Sequence, residues 1–435
     1  MTKDRIALFT CLPPTHSGIA VYSKNLITFL SKKYEFDVFL GSKPLKPAPG
    51  VFHHSEFAHK HLLNPYRVIL YQLGNNQYHD FEYPYLAYYP GIVVLHDPLL
   101  FQARSRYLIE NVRYREYEEE MHYCHGYSGA QLAQLTVKGP IPPLVGFLFS
   151  MNRLVIESSI GVGVHARYFY DQIKFEYSHS RIFYIPMAFD ISDIRMPEWN
   201  VKNKLGISDD TMLLGSAGFI EQHKGAWAVL QAIKEARTKR KIKFIWIGKD
   251  SYNRLREMIK REGLENDCFI TGYVSEGDML AYMKALDIFI NLRYPTAGEF
   301  SAVLLMAFQL GKASIMTDLP HLYEIPKDIV MKVDVANEVE SLVQAINFLI
   351  ENEAKRIELG TNAEEYVRKN HNPAAMLDAY DTMIEEAKKV DIKNITGNKL
   401  IPRHWQSIAI NELLPDSPEE VREDWQEIIE QIFWR

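Results

Sequence analysis

Cysteine is scarce in this 435-residue chain, which has only Cys11, Cys124 and Cys268, all widely separated. They form neither a disulfide framework nor a zinc cluster, and so few thiols fit a reducing compartment. The sequence also lacks an Asp-x-Asp pair and an HExxH motif, so nothing in it supports a dedicated metal site. We therefore predict that the protein works without a bound metal or cofactor.

Long apolar runs and an excess of basic charge are missing as well. The first residues run directly into a strand-like Ile6–Thr10 without a signal-peptide core, and no later apolar run is long enough to span a bilayer. The formal net charge of −6 argues against a general nucleic-acid binder, although a local basic groove stays open. We predict a cytoplasmic globular protein without a nucleic-acid partner, whose membrane contact, if any, is peripheral.

The chain does have a regular alternation of short β-branched or aromatic runs with longer segments of helical period. This alternation is typical of parallel sheets wrapped by helices. It occurs twice, so we predict an α/β fold of two facing, doubly wound Rossmann-like domains with a cleft between the carboxyl ends of their strands. The predicted strands are Ile6–Thr10, Phe36–Leu40, Val68–Tyr71, Ile92–Leu95, Ile160–Val164 and Ile182–Ile185, then Met212–Ala217, Phe244–Ile247, Phe269–Ile270, Ile288–Leu292, Ser314–Thr317 and Val330–Val333.

A segment of poor helix and strand formers, Pro186–Asn200, separates the two halves and is predicted to be a linker. We accordingly place an N-terminal domain at residues 1–190 and a second domain at 191–385. The remaining residues, 386–435, form an amphipathic stretch with three tryptophans. We expect this tail to be helical and to pack back on the body.

The loop Arg293–Ser301 is the most informative part of the chain, because it joins a predicted strand to a predicted helix. Pro295 and Gly298 shape the loop, Glu299 supplies a carboxylate, and Ser301 can cap the helix that follows. Such strand–loop–helix junctions build sugar and phosphate sites in α/β proteins. The alternative interpretation is an ordinary surface loop with a capped helix.

Two other loops have the composition of phosphate cradles. Gly18 follows the first strand and begins a helix that Ser17 can cap, so backbone N–H groups can approach an anion there. Gly218–Gly225 repeats the arrangement at the start of the second half and adds the cation of Lys224. Either loop alone could be a plain turn, but their corresponding places in two domains favour binding.

His96 and Asp97 directly follow the strand Ile92–Leu95, where side chains point to a ligand edge. The imidazole can hydrogen-bond a sugar hydroxyl or a phosphate, and Asp97 can orient it. A capping His-Asp pair without a ligand is the alternative. The glycines of Gly161–Ala166 nominally match a dinucleotide fingerprint, but no suitably placed acidic partner follows.

Residues 101–150 interrupt the alternating pattern. Arginines interleave with tyrosines between Arg104 and Tyr117, and an apolar stretch, Pro140–Phe149, follows. Such a segment could contact a lipid headgroup or an extended acceptor. The simpler interpretation is a charged helix face followed by a buried helix.

Taken together, these motifs resemble the retaining glycosyltransferases of family 4, which have the GT-B fold. The resemblance extends to about residue 385 and includes a bacterial subgroup with an Arg-Tyr-Pro-Thr donor loop. It implies an acceptor site mostly in the N-terminal domain and a nucleotide-sugar site in the C-terminal domain. The motifs that carry it are Pro14-x-x-Ser17-Gly18, His96-Asp97, Lys224-Gly225, Gly272-Tyr273-Val274, Gly298-Glu299 and Gly311-Lys312-Ala313.

By this resemblance, Gly18 contacts the donor pyrophosphate and Lys224 is its cationic clamp. Tyr273 and Val274 border the nucleobase, and Glu299 holds the donor sugar. The catalytic residues that the resemblance implies are His96, Asp97 and Glu299, and the remaining donor-binding residues are Thr296, Gly298 and Ser301.

The chain departs from the family pattern at two positions. Ala307 stands where a glutamate often holds the ribose, and Phe219 replaces an arginine common in the phosphate loop. The sequence therefore does not show which residue contacts the ribose or which residue completes the pyrophosphate clamp.

The resemblance implies metal-free transfer of a sugar, with retention, to a glycan, lipid-linked or other hydroxyl acceptor in bacterial surface polysaccharide or glycoconjugate synthesis. Membrane contact through residues 101–150 would then place the enzyme at the inner face of the plasma membrane. Two alternatives stay open: a GT-B sugar-nucleotide epimerase or hydrolase, and a catalytically silent GT-B scaffold.

Overall fold

A computed structural model describes residues 3–44, 48–139, 141–178, 180–192, 194–250 and 253–390 of the chain. The predicted tail at 386–435 lies outside these residues from position 391 onward. The chain divides into two compact units. Within the described part, the first unit comprises residues 3–185, 297–300 and 376–390, and the second comprises 186–296 and 301–375.

The first unit is built on a seven-stranded sheet in which every strand pair is parallel. Its strands are β1 (Arg5–Phe9), β2 (Glu35–Leu40), β3 (Val51–His53), β4 (Val68–Leu73), β5 (Ile92–Leu95), β6 (Gly161–Val164) and β7 (Ile182–Tyr184). They lie in the order β3-β2-β1-β4-β5-β6-β7. β4 and β5 are buried along their whole length, as expected of central parallel strands covered on both faces.

Helices follow most of these strands, so successive parallel strands are joined as βαβ units. In the first unit they are α1 (Gly18–Leu30), α2 (Phe57–Leu63), α3 (Glu82–Tyr88), α4 (Phe101–Glu110), α5 (Tyr114–Lys138), α6 (Arg153–Ser158) and α7 (Arg167–Glu176). The glycines of β6 serve close packing, because a Cβ at Gly163 would lie 2.3 Å from Ile185.

The second unit contains a six-stranded parallel sheet. Its strands are β8 (Met212–Ala217), β9 (Ile242–Ile247), β10 (Cys268–Ile270), β11 (Ile288–Asn291), β12 (Ser314–Thr317) and β13 (Met331–Val333). Their order is β10-β9-β8-β11-β12-β13. Its helices are α8 (Val201–Lys204), α9 (Ala226–Glu235), α10 (Arg254–Glu262), α11 (Glu276–Ala285), α12 (Ala302–Gln309), α13 (Glu338–Glu351) and α14 (Glu353–Asn370).

The last described helix, α15 (Pro373–Ala387), packs on the first unit through most of its length. Its buried side chains Met376, Tyr380, Met383 and Ile384 recur at helical spacing and form one apolar face. Asp381, on the neighbouring face, accepts a hydrogen bond from the Tyr34 hydroxyl. The helix is therefore fixed to the first unit by both apolar and polar contacts.

The predicted α/β architecture is confirmed, and the predicted strands agree with the structure within one or two residues at their ends. β3 is the strand that the sequence did not reveal. It has three residues, all half-buried, so it shows too few alternations to be recognised. Pro186–Asn200 contains neither helix nor strand in its described residues, and the boundary between the two units falls at its start.

The arginine and tyrosine segment is internal only in part. Arg104 and Tyr117 are buried, whereas Tyr114 and Arg115 are exposed, as expected of a charged surface face. Arg104 is 1% exposed and donates to Glu120 from Nε at 3.0 Å and from Nη2 at 2.6 Å. Its guanidinium also lies 4.2 Å from the ring centroid of Tyr83. Because a buried charge without its partner is costly, about 3–5 kcal/mol, this pair joins α4 to α5 as a unit.

The stretch after α5 also differs from its predicted form. A short 3-10 helix, Pro143–Leu148, replaces the predicted buried helix, and Leu144 and Leu148 are exposed. Neighbouring prolines lack the backbone N–H that an α-helix needs, which explains the short form. Among the described residues, no helix has the length and apolar character needed to cross a membrane.

Candidate functional site

In the second unit, the loops that leave β8 and β9 meet backbone to backbone at the carboxyl edge of the sheet. Gly218 has φ of 103°, and a Cβ at Gly248 would lie 2.0 Å from the carbonyl oxygen of Gly218. The Trp246 indole donates to that same oxygen at 3.0 Å. Only glycine permits this approach, so the loop geometry is fixed by its composition.

Lys224 lies above this junction. Its ammonium donates to the carbonyl oxygen of Phe219 at 2.6 Å and would lie 3.1 Å from a Cβ at Gly218. The next residue, Gly225, has φ of 63° and precedes α9 as a cap without a side chain. The first N–H groups of a ten-residue helix thus begin directly beside a lysine, an arrangement suited to a phosphate group.

The loop after β11 is tied to the lysine loop. Tyr294 N donates to the carbonyl oxygen of His223 at 2.7 Å, and the Tyr294-Pro295 peptide bond is cis. On the other side, Arg293 N donates to Thr317 Oγ1 at 2.9 Å. The structure therefore brings the Lys224 loop and the start of the Thr296 loop together, as a shared site requires.

Ser301 caps α12, as the sequence indicated. Its Oγ accepts from Leu304 N at 3.3 Å, shares a hydrogen bond with Asn291 Oδ1 at 3.0 Å, and accepts from Arg293 at 3.2 Å. The residue is 1% exposed. These contacts give it a structural role, and its predicted contact with the donor stays a prediction.

The loop after β10 carries the two residues predicted to border a nucleobase. Gly272 turns the chain with φ of 74°, and Thr271 Oγ1 accepts from Gly248 N at 3.0 Å, which joins this loop to the β9 loop. Tyr273 is 60% exposed and Val274 is half-buried. A large exposed aromatic ring at the ligand edge of a parallel sheet is a suitable stacking surface for a base.

In the first unit, α1 begins at Gly18 with the N-cap Ser17, whose Oγ accepts from Ile19 N at 3.2 Å. A Cβ at Gly18 would meet no atom within 4 Å among the described residues. Gly18 is thus exposed at a helix N-terminus, although a cap already satisfies one N–H. Its predicted contact with pyrophosphate stays a prediction.

His96 lies at the end of β5 and is only 6% exposed. Its Nε2 hydrogen-bonds Gln72 Oε1 at 2.7 Å, and its ring packs edge-on against Tyr22. Burial, followed by the nearby His165 and His79, holds the pKa of His96 well below its ordinary value. The imidazole is therefore neutral around pH 7 and acts as a hydrogen-bonding group rather than a cation.

The expectation that Asp97 orients His96 is wrong. Gln72 holds the His96 ring, whereas an Asp97 carboxylate oxygen accepts from Asn75 N at 2.7 Å. The two neighbours point to different partners, because successive residues leaving a strand face opposite sides. The sequence offered one signal for Gln72, a polar residue inside a fully buried strand.

Glu299 and Gly298 belong to the first unit and lie beside the segment that follows His96. Leu99 N donates to the Ala297 carbonyl oxygen at 3.1 Å, and a Cβ at Gly298, where φ is 86°, would lie 2.4 Å from the Phe169 ring. Glu299 Oε2 accepts from Ala297 N at 3.0 Å. Gly298 thus permits a tight approach, and the turn fixes the half-buried Glu299 side chain.

A pocket of about 540 Å³ opens at the carboxyl edge of the first sheet. Its walls are residues that follow β1, β2 and β4, where the strand order reverses direction, the usual place for a ligand in an open parallel sheet. Tyr78, Phe81 and Tyr107 provide aromatic surface, and His54 and Asp80 provide polar groups. Nothing in the sequence pointed to this pocket, since its walls come from separate segments.

Asp80 is the charged group of this pocket. Its Oδ2 pairs with Arg106 at 2.5 Å, and its buried Oδ1 has no hydrogen-bond partner in the described part of the chain. Burial raises the pKa of Asp80, and Arg106 opposes that rise. The described residues contain no group of three or more His, Cys, Asp or Glu side chains that could hold a metal ion.

Comparison with known proteins finds a family resemblance in the second unit. A family model described as glycosyl transferases group 1 matches residues 197–366. The match places residues 197–366, which lie in the second unit except for 297–300, with the group 1 domains of glycosyl transferases. An uncharacterized glycosyltransferase of Methanocaldococcus jannaschii is 29% identical over 174 residues. That alignment spans 39% of this chain and 43% of that protein, so it covers less than half of either.

Solved structures extend the likeness beyond the group 1 domain. Sucrose-phosphate synthase from Thermosynechococcus elongatus has a TM-score of 0.65 at 14% identity, covering 88% of this chain and 99% of its own. The lipopolysaccharide glycosyltransferase WaaG has a TM-score of 0.59 at 11% identity, covering 88% and 100%. Anabaena HepE, in complex with UDP and glucose, has a TM-score of 0.55 at 14% identity, covering 88% and 99%.

At such identities the likeness shows the fold, and the predicted GT-B class is confirmed. The group 1 match in residues 197–366 indicates a transferase domain. The matched residues include the loops of Lys224 and Tyr273 and the two departures from the family 4 pattern. Ala307 is fully buried on α12, so it offers no hydrogen bond to a ribose. Phe219 instead contributes its carbonyl oxygen to Lys224.

Proposed function

We propose that the protein is a retaining, family 4 glycosyltransferase that moves a sugar from a nucleotide-sugar donor to a hydroxyl of a glycan, lipid-linked or other acceptor. One observation carries the proposal: the ammonium of Lys224 lies over a glycine junction beside the uncapped start of α9. This arrangement lies inside the region that matches the group 1 family.

The donor's pyrophosphate is the chemical group that this arrangement fits best. A helix N-terminus and a lysine both favour negative charge, and the interaction strengthens when the leaving diphosphate develops. Tyr273, exposed on the β10 loop, offers a stacking surface for the base. The UDP and UDP-glucose complexes of Anabaena HepE support a uridine or related donor for this chain.

In the proposed mechanism, the acceptor hydroxyl attacks the anomeric carbon on the face from which the diphosphate leaves. The departing phosphate takes the hydroxyl proton and no protein nucleophile is needed, while Lys224 and the start of α9 stabilise the leaving diphosphate in place of a metal ion. Glu299 accepts hydrogen bonds from the donor sugar, and neutral His96 hydrogen-bonds a sugar hydroxyl. Asp97 holds the Asn75 backbone and thereby shapes the loop after β4.

The aromatic pocket of the first unit is the proposed acceptor site. Its volume of about 540 Å³ admits one or two sugar rings. Tyr78 and Phe81 can pack on the apolar faces of a sugar, and Ser42 and His54 can hydrogen-bond its hydroxyls. The chemistry of the pocket therefore favours a neutral, hydroxyl-rich acceptor.

We propose a cytoplasmic enzyme at the inner face of the plasma membrane that serves surface polysaccharide or glycoconjugate synthesis. WaaG, which shares the fold, is involved in lipopolysaccharide biosynthesis. Five large apolar side chains among the described residues of the segment at 101–150 are more than half exposed, which supports a peripheral membrane contact. They are Val112, Tyr127, Leu135, Leu144 and Leu148.

The test begins with the melting temperature of the protein in the presence of individual nucleotide sugars. A ligand at about 100 times its dissociation constant stabilises the fold by roughly 2.7 kcal/mol, which is easily measured. The stabilising donor is then incubated with and without hydroxyl acceptors. Transfer with retained anomeric configuration supports the proposal. Acceptor-independent breakdown or epimerisation would identify a hydrolase or epimerase, and no turnover with firm binding would identify a scaffold.

A further inference from the structure

A continuous series of buried side chains connects His96 to α15, the last described helix. His96 Nε2 lies 2.7 Å from Gln72 Oε1, and Gln72 Nε2 donates to the Tyr380 hydroxyl at 3.2 Å. The Tyr380 and Tyr22 hydroxyls share a hydrogen bond of 2.9 Å. Gln72 and Tyr380 are fully buried and Tyr22 is 1% exposed, so water does not compete for these bonds.

The Gln72 amide decides which nitrogen of His96 carries the proton. Its Oε1 faces the ring and can only accept, so Nε2 of the neutral imidazole must be protonated. Nδ1 then carries a lone pair and can only accept. A reversed amide would present its NH₂ group to the ring and would favour the opposite tautomer.

The surroundings fix the rotamer and the charge of His96, so the tautomer is the main property that can still change. The ring packs against Tyr22 and against His165, each with centroids 4.8 Å away, so it cannot swing to another rotamer without disturbing both. Its backbone N–H donates to the Leu73 carbonyl oxygen at 2.9 Å. Burial keeps the pKa low, which removes the doubly protonated form around pH 7.

We propose that Gln72 and Tyr380 are positioning residues that hold His96 as the Nε2–H tautomer and so present Nδ1 as an acceptor for a hydroxyl of the sugar substrate. The inference rests on the proposed glycosyl transfer. It makes the enzyme selective for a substrate that donates a hydrogen bond at this place. An analogue lacking that hydroxyl would leave Nδ1 without its partner.

The proposal gives α15 a role beyond packing. Tyr380 lies 308 positions after Gln72 in the chain and reaches β4 from α15. Tyr22 lies on α1, the helix that begins at Gly18, so the same network joins the first helix to α15. The position of α15 therefore influences the chemistry of a histidine with which it has no sequence proximity.

The first experiment records long-range ¹H–¹⁵N spectra of the full-length, unliganded protein labelled with [¹⁵N]histidine. The His96 signals are assigned as those absent from His96→Gln. A protonated Nε2 and a bare Nδ1 are expected. A protonated Nδ1 in the wild-type protein would overturn the assignment.

The second experiment removes the network's outer hydroxyl with Tyr380→Phe. The matched control is Tyr34→Phe, which also removes a tyrosine hydrogen bond to α15, the one to Asp381, but leaves the network intact. Tyr380→Phe should give mixed His96 tautomers and lower kcat roughly three- to tenfold, the loss expected for one buried hydrogen bond, with the donor KM within about twofold. Tautomer and kcat equal to those of Tyr34→Phe would overturn the proposal.

Gln72→Met provides a second test if Tyr380→Phe does not fold, because the thioether keeps the length of the side chain but removes the amide oxygen that accepts from Nε2. Mixed His96 tautomers in this variant support the assignment, and an unchanged Nε2–H population contradicts it. The spectra require no turnover. Absence of transfer with every donor would therefore count against the proposed function, while the tautomer would still be decided independently.

Discussion

Replacing Glu299 with glutamine is the sharpest test of the donor-sugar role. Glu299 Oε2 accepts from Ala297 N at 3.0 Å, which fixes the side chain within its own turn. Glutamine retains a carbonyl oxygen that can accept the same bond, so the loop should keep its shape. What the substitution removes is the negative charge offered to the sugar hydroxyls.

The expected loss follows from the nature of that contact. A charge-assisted hydrogen bond is roughly twice as strong as a neutral one, and losing one preorganised electrostatic contact costs about 2.7–4 kcal/mol at the transition state. Such a loss lowers kcat/KM roughly 100- to 1,000-fold. Stability should change by no more than about 0.5 kcal/mol, because the half-buried side chain keeps its local hydrogen bond.

The assay measures transfer and melting temperature on the same preparation. Glu276→Gln is the matched control, since Glu276 is another half-buried glutamate at a helix N-terminus, in the first turn of α11. The control should retain wild-type turnover. A folded Glu299→Gln variant with wild-type kcat/KM would refute the assignment of this loop to the donor sugar.

Three further outcomes are expected. Lys224→Ala should weaken binding of the nucleoside diphosphate by about 1.5–3 kcal/mol in titration calorimetry, whereas Lys234→Ala on the exposed face of α9 should not; equal affinities would exclude the clamp. Transfer should persist in EDTA, and a complete loss that magnesium or manganese restores would reveal a metal site. Burial, with His53 second, lowers the pKa of His54 from its ordinary 6.5 to about 4. The unfolded chain therefore binds the extra proton first, and the free energy of unfolding should fall as pH decreases from about 6.5 to about 4. Chemical denaturation should show that the free energy of unfolding decreases less in His54→Gln than in the wild-type protein over this pH range. An identical pH dependence in the two proteins would contradict the assignment of this effect to His54.

The sequence by itself determined the architecture of both units. Buried parallel strands appear in the sequence as short β-branched or aromatic runs, and the helices between them show apolar residues at the helical spacing of about three to four residues. Met212–Ala217 and Ser314–Thr317 could therefore be located without a structure. Hydrogen bonds between residues close together in the chain could also be predicted. Ser301 was recognised as a cap because capping depends on residues within one helical turn.

The sequence predicted the candidate site only in part. Glycines such as Gly218 and Gly298 stood out because their backbone conformations exclude other residues. The functional roles of the residues around them stay predictions, since a motif states which groups are present and not what they bind. The assignment of Asp97 as the partner of His96 failed for that reason, because adjacency in sequence is not adjacency in space.

Only the tertiary structure decided which distant groups meet. Arg104 looked like a surface arginine until its pairing with Glu120 placed both inside the first unit. Tyr380 and Gln72 lie 308 positions apart, and no periodicity links them. The spacing of apolar residues shows which face of its own helix or strand each residue occupies. The partner of a buried polar group is set by how those elements pack, and that information exists only once the chain has folded.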